Sequence, residues 1–159
     1  MSQKVFLVGL PGAGKTTIGM EAALEMHVPF VDLDQEIEKE TRQTIRMIFQ
    51  QEGEASFRQL EYEQLRKTIN HSADFVLATG GGTPCFFDNM DLMNSVGTTI
   101  FINTPIEQIK KRLQHDSVRP LMQTNTLESL YEKRKFWYNK ANHTIQTQQE
   151  LLEIIRSRN

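Results

Sequence analysis

Short apolar, β-branched runs alternate along the chain with longer stretches in which apolar residues recur every three or four positions. The runs KVFLVG (4–9), FVDLD (30–34), DFVLATG (74–80), TTIFIN (98–103) and HTIQTQ (143–148) predict strands. Helical spacing covers roughly 15–26, 35–41, 44–51, 55–70, 105–114, 126–141 and 149–157. Strands separated by helices pair in parallel, so the pattern predicts an α/β layered domain. Gly80-Gly81-Gly82 and Thr104-Pro105 punctuate two strand ends, and Pro105 suits the first position of a helix. The stretch QHDSVRPLMQTNT (114–126) breaks the periodicity between two good helices. It is long for a connection in a compact domain, which makes it a lid candidate.

Composition narrows the classes. A chain of 159 residues is enough for one well-buried core. The formal net charge of -2, with both signs interspersed, gives no basic stripe of the kind a nucleic-acid binder needs. No apolar run is long enough to span a bilayer, and the N-terminus enters a strand without the longer apolar run and cleavage site of a signal peptide. A lone Cys85 rules out an internal disulfide framework and fits a reducing cytoplasm. His27, His71, His115 and His143 are far apart and lack metal-ligand spacing.

The chemistry begins at Gly9-Leu-Pro-Gly-Ala-Gly-Lys-Thr-Thr17, which satisfies G-x-x-x-x-G-K-[ST] between a predicted strand and a predicted helix. Such a loop turns consecutive backbone N–H groups toward phosphate oxygens, and the following helix adds its N-terminal partial charge. Gly12, Ala13, Gly14, Lys15, Thr16 and Thr17 are therefore the expected phosphate-binding residues. Lys15 reaches the β- and γ-phosphates, and the Thr16 hydroxyl is placed for Mg²⁺. The second strand ends in Asp32-Leu-Asp34. Strand residues i and i+2 project to the same face, so both carboxylates are expected to point into the crevice beside the loop, one for magnesium and one to take a proton from a hydroxyl. Acids that cap the next helix are the alternative, and spacing does not separate the two. Thr79-Gly80-Gly81-Gly82 ends the third strand and allows close approach of a ligand to backbone. Three arginines stand out: Arg58 in GEASFR, Arg119 before Pro120, and Arg134 one turn before Tyr138. Spacing alone leaves each of them an ordinary surface charge.

Taken together, the phosphate loop, Asp32-x-Asp34, GEASFR, TGGG, RPL and R-x-x-x-Y occur in an order and spacing that resembles the shikimate kinase family. The resemblance spans nearly the whole chain and implies a single domain over 1–159. Its expected architecture is a three-layer P-loop kinase fold: a five-stranded parallel sheet flanked by helices, with a mobile lid at about 112–124. It implies ATP-dependent phosphorylation of the 3-hydroxyl of shikimate by a cytoplasmic monomer, with Mg²⁺ and with no nucleic-acid or membrane partner. Residue by residue, it assigns Arg58 and Arg134 to the shikimate carboxylate, and Asp34 to the ring hydroxyls as base. Gly80, Gly81 and Gly82 become backbone contacts, and Phe49 and Phe57 apolar contacts to the ring. Lys15 and Arg119 serve the transferring phosphoryl group, Thr16 and Asp32 the magnesium, Arg112 the adenine, and Thr147 to Gln149 the rest of the adenine pocket. Family members often carry an apolar residue after the glycines, where this chain has Thr83-Pro84-Cys85; no step of the reaction calls for the thiol. A gluconate or nucleoside monophosphate kinase would share the loop and the lid but has no use for the paired arginines with TGGG. A nucleotide switch would need neither Asp34 facing the loop nor an arginine on the lid.

Overall fold

The computed structural model describes residues 3–71, 73–114 and 126–158. Five strands, β1 (Lys4–Val8), β2 (Phe30–Asp32), β3 (Phe75–Ala78), β4 (Thr98–Ile102) and β5 (His143–Ile145), form one parallel sheet in the order β2-β3-β1-β4-β5. Among the described residues seven helices flank it: α1 (Lys15–Met26), α2 (Leu33–Thr41), α3 (Ile45–His71), α4 (Asn89–Val96), α5 (Ile106–Gln114), α6 (Leu127–Tyr138) and α7 (Gln148–Arg156). β1, β3 and β4 are covered on both faces, which is why they read as nearly unbroken apolar runs. Phe6, Leu7, Phe75, Leu77 and Ile100 are essentially inaccessible, and Phe6 meets Phe75 edge-on at 5.4 Å.

The expected fold class is the one observed, with boundaries moved by side-chain chemistry. β2 stops at Asp32 instead of running to Asp34, because the Asp32 carboxylate accepts the Gln35 N–H at 3.1 Å and starts α2 there. Thr147 likewise caps α7 and shortens β5. The two expected helices at 44–51 and 55–70 form one element bent at Gly53, whose backbone (φ 84°, ψ 173°) is not helical. Helix α4 was not expected from periodicity. Asn89, Met90 and Met93 are buried in it, so a polar residue interrupts the apolar stripe.

At the carboxyl ends of the strands, β1 runs into the phosphate loop and β2 into Asp32. β3 runs into the three glycines, and β4 into Thr104. A chain that leaves β1 toward one side of the sheet and β3 toward the other opens a crevice there.

Candidate active site

A cleft of about 1040 Å³ opens at that end of the sheet. Its wall includes the phosphate loop, Asp32, Asp34, Phe49, Phe57, Arg58, Gly80 to Gly82, Arg112, Arg134, and Gln146 to Gln148. Every site residue expected from the sequence that falls among the described residues lines this one cavity, apart from Gln149. Arg119 and most of the lid candidate lie outside the described residues.

Gly14 is the N-cap of α1, in a left-handed conformation (φ 101°) with no side chain capping the helix, so the first-turn amides face the cleft. Thr104 donates its hydroxyl to Ala13 O at 2.7 Å and ties the loop to the end of β4. Arg112 donates to Gly12 O at 3.2 Å, and Lys15 Nζ to Gly9 O and Leu10 O at 2.6 and 2.9 Å. These contacts build an anion cradle on backbone N–H groups.

The acids beside the loop sit differently from the strand picture. Asp34 is not on β2; it lies in the first turn of α2, after Asp32. Asp32 is both a helix cap and a cleft residue. One oxygen holds Gln35 N–H, and the other accepts the Thr16 hydroxyl at 3.4 Å. Burial pushes the Asp34 carboxyl up to about 6, with Glu61, Asp32 and Glu38 raising it further and Lys15 opposing them. A carboxylate poised near neutrality in a cleft is what proton abstraction from a hydroxyl needs.

The far end of the cleft is built on two arginines. Arg58 is 8% exposed, donates to Glu61 Oε1 at 2.9 Å and lies over the Phe86 ring at 4.1 Å. Arg134 Nη1 is buried and has no hydrogen-bond partner. A buried guanidinium nitrogen left unpaired is costly, and an arriving carboxylate would satisfy it. Two of the three glycines stand against these side chains, and Gly80 stands against Asp34, Glu61 and Thr83. A Cβ on Gly82 would stand 2.5 Å from Arg58 Nη2, and one on Gly81 would stand 2.8 Å from Arg134 Nη1. Tyr138 donates to Gly81 O at 2.6 Å and tethers the turn to α6. Cys85 is absent from the cleft wall, and burial lifts its thiol to about 11, so it stays protonated.

Sequence reasoning passed over Glu61, Thr83 and Thr104. Glu61 is fully buried and holds Arg58 from one helical turn away, a spacing that was visible in the sequence. Thr83 and Thr104 act through tertiary contacts that no local spacing announces.

A phosphate loop on a five-stranded parallel sheet, with a poised acid and paired arginines across the cleft, defines a P-loop phosphotransferase for a small anionic acceptor. Comparison with known proteins narrows the class. The family model described as shikimate kinase matches residues 11–157. A shikimate kinase of Bacteroides fragilis is 43% identical over 148 residues, covering 88% of this chain and 82% of that protein. The crystal structure of the Bacteroides thetaiotaomicron shikimate kinase superposes with TM-score 0.85 at 34% identity, over 99% of this chain and 96% of that one. The Acinetobacter baumannii shikimate kinase in complex with shikimate gives TM-score 0.90 at 35% identity, over 100% and 96%. The chain belongs to the shikimate kinase family.

Proposed function

We propose that the chain transfers the γ-phosphoryl group of ATP to the 3-hydroxyl of shikimate, giving 3-phosphoshikimate and ADP on the route to chorismate and the aromatic amino acids. Family membership over most of the chain supports the reaction. The observation that carries the substrate is the unpaired, buried Arg134 Nη1 beside Arg58, a fork that fits a carboxylate. Asp34 connects the two halves, since Lys15 of the loop and Glu61 behind the clamp both act on its charge.

In this reading Arg58 and Arg134 bind the shikimate carboxylate, and Gly80 to Gly82 let the ring approach the backbone. Phe49 and Phe57, 4.8 Å apart, cover its apolar edge. The 3-hydroxyl oxygen forms a bond to the γ-phosphorus, the bond from that phosphorus to the bridging oxygen breaks, and the electron pair leaves on ADP. The hydroxyl proton passes to Asp34. The loop amides from Gly12 to Thr17 and Lys15 hold the phosphates, Arg112 flanks the base, and Arg119 serves the transferring group on the strength of its RPL motif alone.

Thr16 and Asp32 fit a magnesium ion that keeps waters and phosphate oxygens in its shell. Their oxygens are 3.4 Å apart at the loop, and no cluster of three or more acidic, histidine or cysteine side chains offers a full protein cage among the described residues. Bound there, magnesium would neutralise charge on the phosphates. The protein is read as a cytoplasmic monomer from the resemblance and from its single cysteine. No helix among the described residues is long and apolar enough to cross a membrane.

An ADP-release assay with ATP and separate acceptors tests the function. ADP forming with shikimate, and not with gluconate or nucleoside monophosphates, is the expected result. Equal ADP release without any acceptor would point to a nucleotide switch and overturn the reading.

A further inference from the structure

Beside the glycine turn, Glu61 of the cleft lining joins Thr83 and Asn89 in a buried polar cluster, and the reading above gives Thr83 and Asn89 no part. Glu61 is fully buried, and each of its oxygens has one donor: Oε1 takes Arg58 Nη1 at 2.9 Å, and Oε2 takes the Thr83 hydroxyl at 2.7 Å. Thr83 is also fully buried and held from both sides. Its N–H donates to Gly80 O at 3.2 Å, and its carbonyl accepts Asn89 Nδ2 at 3.0 Å. Asn89, itself fully buried, accepts Arg66 Nη1 at 3.4 Å.

We propose that Thr83 is a positioning residue for the substrate carboxylate: through Glu61 its hydroxyl fixes the plane of the Arg58 guanidinium. The proposal rests on the shikimate reading above. The other acid on Arg58 is Glu54, whose side chain is 58% exposed, with contacts of 3.3 and 3.4 Å, so Glu61 is the dominant anchor. The terminal torsion of a glutamate is broad and soft. With both oxygens engaged, the Glu61 carboxylate has one orientation, and so does the arginine it holds. Without the Thr83 donor, Oε2 is a buried charged oxygen lacking that bond, and the carboxylate turns to offer either oxygen to Arg58. A planar fork recognises a carboxylate only when it is aligned, so the loss falls on carboxylate binding rather than on phosphoryl transfer.

Steady-state kinetics on the full chain with saturating ATP test this. Thr83→Val keeps the volume and removes the hydroxyl. Its KM for shikimate should rise roughly 10-fold, with kcat and the KM for ATP within about twofold of wild type. Thr83→Ser, which restores the donor, should return the shikimate KM to near wild type. With an acceptor carrying a hydroxymethyl group in place of the carboxylate, Thr83→Val and wild type should behave alike, because that acceptor does not use the fork. A damaged fold would penalise both acceptors. An unchanged shikimate KM in Thr83→Val, or equal losses on the two acceptors, overturns the proposal. Thr83→Ala carries the same expectation if the valine variant does not fold, and failure of both to fold would assign Thr83 to stability and overturn it too. Wild type giving no ADP with shikimate would end the underlying reading instead.

Discussion

Asp34 holds its proton more tightly than an ordinary aspartate because it is largely enclosed and faces three acids. Glu61 comes from α3, Asp32 from the end of β2 and Glu38 from α2, with only Lys15 of α1 opposing them. Its affinity is raised from 3.8 to about 6, so the ionised form destabilises the free fold. That penalty is absent below about pH 4, grows as pH rises through 6, and is complete above it. Asn imitates the protonated carboxyl. Asp34→Asn in nucleotide- and magnesium-free protein should therefore gain about 1–3 kcal/mol at pH 8 and nothing at pH 3.5. Urea denaturation at the two values checks it, and equal stability at pH 8 would show that Asp34 is not under this strain. The same variant should lose phosphoryl transfer if Asp34 is the base proposed above, which a turnover assay reads directly. At this scale the motifs made most of the site legible. The loop, Asp32, Asp34, Arg58, the glycines and Arg134 all line one cleft. Of the two readings that spacing left open for the acids, helix capping describes Asp32, which ends its strand by capping α2, and the i, i+2 rule fails once the chain turns helical, although both acids still line the cleft. Glu61 escaped notice because a lone glutamate on a helix is usually solvated.

Element by element, short apolar runs recovered the strands, and the period of 3.6 recovered six of the seven helices described. What it missed follows from burial. In α4 the buried positions include Asn89, whose amide holds Thr83 O, so an apolar-stripe test skips it. The break between 51 and 55 was legible as a loss of periodicity, and Gly53 gives its cause. At φ 84° and ψ 173° that residue occupies a region open almost only to glycine, although a Cβ there would touch nothing within 4 Å. The bend separates the turn that carries Phe49 from the turns that carry Phe57, Arg58 and Glu61, and both arms line the cleft. Gly53→Ala has room for its methyl group and pays only in backbone conformation. It should destabilise the protein by about 1–3 kcal/mol, or straighten the helix and draw Phe49 off the cleft. Either outcome lowers shikimate affinity or stability, and chemical denaturation beside a shikimate titration separates them. Wild-type values in both would mean that the bend is not imposed by the glycine.

For the molecule as a whole, the two arginines proposed as a clamp make opposite demands on the ligand-free fold. Arg58 neutralises Glu61, a side chain with no exposure, whereas Arg134 brings a buried nitrogen with no partner. Methionine keeps most of the packing of an arginine stem without the charge. Arg58→Met strands the Glu61 charge in the interior and should cost about 3–5 kcal/mol. For a chain of this size that is a fall in Tm of roughly 6–20 °C. Arg134→Met removes an unsatisfied group, so without ligand it should melt at or above the wild-type temperature. Ligands then report on the two halves of the cleft separately. Shikimate at a hundredfold excess over its Kd should add about 2.7 kcal/mol to wild type, a rise of roughly 5–10 °C. At the same concentration, Arg134→Met should show almost none of that rise, because the carboxylate loses half of its fork, while the shift produced by ADP at the phosphate loop stays as in wild type. Thermal melts of the three proteins, each alone, with shikimate and with ADP, measure all of this in one series. A full shikimate shift in Arg134→Met would remove that arginine from the clamp. A ligand-free loss in Arg134→Met as large as that in Arg58→Met would show that its guanidinium serves the fold and is not held in reserve for the substrate.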